Sequence, residues 1–307
     1  MSDATPERWN ALTKKQAFAI HMALSILIFG SLVAVMMVWW FPGKLFFLDG
    51  GWQGLKIVAL IDLVLGPALT LLLYAPGKPK LLLDMSFIAV FQLSALAYGF
   101  YATYHQRTAA VVYADRNFIT LSADAAKVAK QELTAREKPF RAVSEIDNSI
   151  PAMLLTPEPK PSEFGQYMSE LLSGFPELHE RLDLMVKRGP EHAEMLSARA
   201  VTMDRLEVTG ADKLVQKALD ELDHDKDDIE LHYFKARYAK GIVLYSKAEQ
   251  DIIDYVTVPW DALIAQKEKE NTQDSDIESG RVADGTKKNT SAPVSESVSD
   301  MAESVEQ

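Results

Sequence analysis

Cysteine is absent from all 307 residues. This excludes a disulfide framework, thiolate nucleophiles and zinc knuckles, but leaves the compartment open, since many secreted bacterial proteins also lack cysteine. Basic charge is in deficit: 32 Lys and Arg face 43 Asp and Glu, a formal net charge of −11. That balance argues against nucleic acid and against polybasic docking on lipid headgroups. Catalytic and cofactor motifs are missing as well. The six histidines (21, 105, 179, 192, 224 and 232) make no His-Glu-x-x-His array, and His179-Glu180 and Glu191-His192 fall on helical patterns where exposure outweighs ligation. There is no phosphate loop, dinucleotide fingerprint or Gly-x-Ser-x-Gly elbow. The chain therefore reads as one without a catalytic site, metal or cofactor.

The absence with the largest consequence is that of charge from the first third of the chain, which a mean hydropathy of −0.05 conceals. Gln16 to Gly43 runs for 28 residues without Asp, Glu, Lys or Arg, and only His21 is titratable there. Two further apolar runs follow, Ile57–Ala75 broken by the single Asp62, and Met85–Gln106 with no charge. Runs of this length are membrane spans, placed at about 16–40, 55–75 and 83–104. A cleaved signal would have a core of about 7–15 residues ending in small residues. Here the core is longer and ends in Val38-Trp39-Trp40-Phe41-Pro42, so it reads as a retained anchor.

Lys and Arg in short loops orient such spans toward the cytoplasm. Arg8, Lys14 and Lys15 precede the first span, and Lys78 and Lys80 lie between the second and third. The opposite side has Lys44 and Lys56 in its short loop, with Arg107 and Arg116 beyond the third span. The short-loop ratio of five to two puts residues 1–15 in the cytoplasm and the chain from 107 outside, which in a diderm bacterium is the periplasm. Trp39, Trp40, Phe41, Phe46, Phe47, Trp52, Tyr98, Tyr101 and Tyr104 would then gather at the outer interface, where amphipathic rings settle.

Between the first two spans, Asp49-Gly50-Gly51-Trp52-Gln53-Gly54 is a turn whose glycines permit positive φ. It reads either as a tight re-entry turn anchored by Trp52 or as a surface on which a partner helix rests closely. Asp62 needs a bundle interior or a partner, because an ionisable group on a lipid-embedded helix costs about 2.5–3.5 kcal/mol. Helical rise places His21 and Asp62 on the order of 12 Å apart in depth, which disfavours a direct pair. Three roles stay open for Asp62: a protonated structural carboxyl, a contact for another protein's helix, or a proton or ion relay. The relay is the weakest, since no second acid, Lys or Arg lies within the three apolar runs. A transporter would need more polar lining than Asp62 and Gln92 provide. Gly66-Pro67 is expected to kink the second span, with Thr70 available for the freed carbonyls.

Beyond the spans, residues 109–121 hold two β-rich runs around Asp115-Arg116-Asn117, a hairpin signal. Helical patterns follow at Ala123–Glu132, Ser162–Ser173, Pro176–Lys187 and Ala211–Asp223, with a short helix after Gly189-Pro190 and a loop over Pro151–Pro161. Ile229–Tyr238, Gly241–Tyr245 and Asp251–Val258 read as a three-stranded meander. The expected fold class is a membrane protein with three transmembrane helices (region 16–106), a small extramembrane α+β domain (107–260) and a disordered acidic tail (261–307). Lys267–Gln307 carries ten acidic against five basic residues and no aromatic residue.

Phe41-Pro42, Leu48-Asp49-Gly50-Gly51-Trp52-Gln53-Gly54-Leu55-Lys56-Ile57, Asp62-Leu63-Val64-Leu65-Gly66-Pro67 with Leu69-Thr70-Leu71-Leu72, Leu83-Asp84 and Gln92-Leu93-Ser94-Ala95-Leu96-Ala97-Tyr98-Gly99 together resemble the TfpX/TfpZ family of type IV pilin accessory proteins. The resemblance extends over roughly residues 15–122. It implies a multi-pass inner-membrane protein that binds a type IV major pilin, with other pilus assembly components as further partners, and that acts in a chaperone-like way on pilin stability, pilus assembly or pilus dynamics. The candidate pilin contact is Asp49, Gly50, Gly51, Trp52, Gln53, Gly54, Asp62, Gly66 and Pro67. The alternative from another class is a membrane-anchored periplasmic sensor or binding module, which would call for cytoplasmic output machinery that a 15-residue N-terminal segment does not offer.

Overall fold

The computed structural model describes residues 12–265, and the expected tail beyond them lies outside the described residues. Residues 260–265 are helical, so regular structure continues past Trp260, where the tail was expected to begin. Among the described residues three helices are long and apolar enough to cross a membrane: α1, Lys14–Trp40; α2, Gly51–Leu73; and α3, Leu81–His105. At 1.5 Å per residue the shortest, with 23 residues, is about 35 Å long. Most of each apolar surface faces outward, as Leu27, Leu72 and Phe87 do. Helices apolar all round are what lipid requires.

Each helix has a local reason for its limits. Thr13 caps α1 in a reciprocal box with Gln16. In α2, Pro67 has no N–H and its ring crowds the preceding turn. The helix answers by widening into a π turn over Leu60–Leu65, where Gly66 N–H donates to Ile61 O. Asp62 sits inside that turn.

The chain divides into two compact units. One holds the three helices together with Ile119–Lys187 and the short piece Ala236–Tyr238; the other holds Arg116–Phe118, Arg188–Lys235 and the chain from Ala239 on. Strand β1 (Thr108–Ala114) leads into β2 (Asn117–Ser122) through Asp115 and Arg116, both at positive φ (48° and 63°), as a two-residue hairpin turn requires. Helix α4 (Ala123–Ala135), capped by Ser122 Oγ, buries Ala129 and Leu133 against Val112, Leu121 and Leu154.

Two expectations are corrected here. The Pro151–Pro161 segment is not wholly a loop: Ala152–Leu155 forms β3, parallel to β1, with β4 (Val186–Lys187) antiparallel on its other side. A strand of four residues is too short to show a period. Pro176–Lys187 is not an α-helix but a 3-10 turn at Leu178–Glu180 followed by β4. Leu178, Leu182 and Met185 are all buried, as their spacing demanded, but burial of three side chains does not fix the backbone between them. Arg181 holds that backbone instead, forked onto Asp183 (2.9 and 2.8 Å) and bonded to Glu170 (2.8 Å). Glu170 belongs to α5 (Phe164–Leu172), which stops at Gly174 with φ 82°. Asp147 orients the start of β3. Burial alone would raise its carboxyl, but bonds from Ser149 Oγ, Met153 N and Lys187 outweigh it and hold the group at about 2.

In the second unit, β5 (Ile229–Lys235), β6 (Lys240–Ser246) and β7 (Asp251–Thr257) form the expected antiparallel meander. Helices α6 (Met203–Thr209) and α7 (Asp212–Glu221) cover one face through Leu206, Val215 and Leu219 against Leu231, Ile242 and Leu244. On the other face His232 is fully buried, edge-on to Phe118 and Tyr245. Arg188 lies over the Tyr245 ring at 4.9 Å. Burial first, and the Arg188 charge second, push the His232 imidazole down to about 4. An unfolded histidine titrates near 6.5, so the unfolded chain takes the proton first as pH falls. Stability of this unit is therefore complete above about pH 6.5 and drops by about 3 kcal/mol on the way to pH 4. Hydrogen exchange of β5 and β6, corrected for intrinsic rates, should show that loss in the native protein and a flat profile in His232→Gln. An equal loss in both would assign the pH dependence elsewhere.

Candidate functional site among the apolar helices

Helix α2 is the central helix, with α1 packed against it on one side and α3 on another. At one end of the bundle Trp40 closes α1 onto α3, edge-on to Phe100 (4.7 Å) and Tyr104 (5.5 Å). At the other end Tyr74 is buried beside Ala17 and Leu81, and its hydroxyl donates to Leu12 O at 3.2 Å. Between these closures α1 and α3 stand apart, leaving a cavity of about 330 Å³. Its walls are apolar, from Ile20, Leu24, Ile28, Ile88 and Leu93. Its polar groups are few: Asp62, His21, Ser25, Thr70 and Gln92.

The polar groups are unequally matched. His21 Nδ1 and Thr70 Oγ1 are 2.6 Å apart, so His21 is bonded to Thr70 rather than to Asp62. Thr70 serves that contact. Gln92 packs its amide over Gly66, where an added Cβ would meet Nε2 at 1.8 Å. Asp62 is only 5% exposed, and its Oδ2 has no hydrogen-bond partner among the described residues. A buried, unmatched carboxylate oxygen at the middle of an apolar helix is the most costly feature of this region. Asp62 also borders a smaller cavity of about 140 Å³ between α2 and α3.

The Asp49–Gly54 turn is built differently. Asp49 is 1% exposed and accepts three hydrogen bonds from its own chain: Thr108 Oγ1 (2.5 Å), Thr120 Oγ1 (2.7 Å) and Arg237 N (3.1 Å). Tyr238 N donates to Leu48 O (3.1 Å), and Arg237 Nη2 donates to Gln106 O (3.3 Å). Gly50 takes φ 111°, and a Cβ there would come 2.8 Å from Tyr238 Cε2. Gly51 backs onto Phe46, and Gly54 onto Thr103, whose Oγ1 a Cβ would meet at 2.9 Å. The close approach these glycines allow is thus used inside the chain. Trp52 alone of the six is exposed, with Lys56 Nζ 5.4 Å from its ring centre, while Gln53 is half-buried.

The structure therefore separates the nine candidate residues into two groups: Asp62, Gly66 and Pro67 on the inner stretch of α2, and the Asp49–Gly54 turn at its beginning. Thr108, Thr120, Arg237 and Tyr238 were not legible as partners of the turn, because they lie 59 to 188 residues from Asp49 where bonded to it. Among the described residues no three His, Asp or Glu side chains gather as a metal site.

No protein-family model matches the chain, and no solved structure does. Over 96 residues, 31% of the chain, it is 33% identical to three fimbrial assembly proteins of Dichelobacter nodosus: those of serogroups C1 and C2, serogroup E1 and serogroup I. The aligned stretch covers 73% of the first protein and 37% of each of the other two. At that identity and coverage of the first relative, the chain belongs to the family of fimbrial assembly proteins.

Proposed function

We propose that this protein is a non-enzymatic accessory protein of a type IV pilus system, of the TfpX/TfpZ kind. It sits in the bacterial inner membrane and receives the membrane helix of its pilin in the cavity between α1 and α3. The observation that carries this reading is the Asp62-floored cavity in a chain of the fimbrial assembly family. A partner that must be held before assembly is best received by a groove open to lipid, and exposed Ile20 and Leu93 form its rim. Of the candidate contact residues, Asp62 lines this groove, and Gly66 stands behind it against Gln92, which also lines it. The Asp49–Gly54 turn braces it from one end and offers Trp52 as its exposed member.

The same reading places the N-terminus in the cytoplasm and residues 107–260 in the periplasm. Support comes from the short-loop Lys and Arg and from the exposed rings of Trp39, Trp52, Tyr98, Tyr101 and Tyr104 at one end of the bundle. Alkaline phosphatase fused after residue 260 should be active, and a cytoplasm-dependent fluorescent protein at the same point should be dark. The reverse pattern would invert the topology. For the function itself, the tagged protein purified from native membranes in mild detergent should bring down its pilin. Recovery of the protein at normal abundance without pilin would remove the reading.

A further inference from the structure

We propose that the cavity beside Asp62 is a receptor for one N–H donor, carried at mid-membrane depth by the transmembrane helix that occupies it. The inference rests on the reading that a helix enters this cavity, and it specifies the chemistry by which that helix is recognised.

Three observations lead to it. Asp62 is the eleventh residue after Gly51 and the eleventh before Leu73, so it stands at the midpoint of α2. A lipid headgroup lies at the bilayer surface, roughly 15 Å from that level, so only a group borne on a spanning helix arrives there. Among the described residues the demand is one-sided: Asp62 Oδ2 is buried and lacks a donor, while His21 and Thr70 are bonded to each other. No Lys or Arg exists anywhere in the three apolar runs, so no side chain of those runs brings a permanent positive charge to Asp62. Finally, the cavity of about 330 Å³ has apolar walls that suit the hydrocarbon stem of a long side chain, with the polar floor at its end. An apolar occupant would fill the volume and leave the carboxylate unmatched. A donor satisfies both.

The test uses the full-length protein in lipid nanodiscs and two synthetic leucine-rich transmembrane peptides, identical except for a central lysine in one and norleucine in the other. The pair differs only by the ammonium group, and mutual repulsion of the lysines keeps that peptide from pairing with itself. Binding is read by energy transfer from a dye on the protein to one on the peptide. The native protein should prefer the lysine peptide by at least tenfold. The preference should shrink in Asp62→Asn, which keeps one acceptor oxygen, and vanish in Asp62→Leu. Leu93→Trp, which crowds the cavity from its rim, should weaken both peptides together. Equal binding of the two peptides by the native protein, or an undiminished preference in Asp62→Leu, would overturn the proposal. Pilin co-purification would be unaffected by that outcome if the helix docks without a donor, and would fail independently if the chain receives no pilin.

Discussion

Asp49→Ala is expected to destabilise the protein more than any other single change in the turn between α1 and α2. The substitution strands two hydroxyls and one backbone N–H, from Thr108, Thr120 and Arg237; Thr108 is buried with Asp49, while Thr120 and Arg237 are partly open to water. An orphaned buried donor costs about 1–3 kcal/mol and the two partly exposed ones less, so a total of about 2–4 kcal/mol is expected. In a protein of this size that corresponds to a fall in melting temperature of about 10 °C. Asp49→Asn should behave quite differently. Its Oδ1 can still accept from Thr120 and Arg237, and the Thr108 hydroxyl can turn to accept from the new amide. The expected loss is less than a third of that for alanine. Thermal unfolding in mild detergent, followed by near-ultraviolet dichroism, separates the two. A melting curve for Asp49→Ala that overlays the native one would mean that these bonds contribute nothing.

Gly241→Ala should be the most damaging small substitution in the second unit. A Cβ at Gly241 would lie 1.9 Å from Val256 O and 3.1 Å from Thr257 Cα, both backbone atoms of the adjacent strand. No side chain can swing away to relieve such contacts, so β7 must move off β6. The pairing of Gly241 with Thr257 and Ile242 with Val256 would be lost first. Glycine within a strand often marks this kind of close backbone approach. The expected cost is about 3 kcal/mol or more, since a strand carrying Val256, with Val258 just beyond its end, would leave the core. Hydrogen exchange over residues 251–257 reads it directly: protection should fall at least a hundredfold, while α4 and β1 keep theirs. Native exchange in β7 of the variant would contradict the geometry.

The parts of the fold that depend on neighbours in sequence were legible from sequence. Twenty-eight uncharged residues announce α1, and Asp115-Arg116 announces a turn because its residues tolerate positive φ between two β-branched runs. The meander from β5 to β7 follows from three β-rich segments with turns at short intervals. What escaped depends on distant partners. β3 is a strand because β1 and β4 flank it, not because Ala-Met-Leu-Leu favours extension. The glycines after Asp49 were legible as sites of close approach, yet nothing local says what approaches. Gly50 meets Tyr238 and Gly54 meets Thr103, far along the chain in both cases. Asp62 is the opposite case: its cost in an apolar helix is evident from sequence alone, and the structure adds that none of the described residues matches one of its oxygens.

The central claim is that the cavity between α1 and α3 receives a pilin's membrane helix, and site-specific photocrosslinking in cells tests it most directly. A photoreactive amino acid placed at Ile20 or Leu93, both on the cavity rim and exposed, should give an adduct whose added mass and immunoreactivity are those of the pilin. The same group at Leu72 or Val90, equally exposed but outside the cavity, should give little or none. Pilin adducts from all four positions alike, or from none while the protein remains abundant in the membrane, would contradict the account.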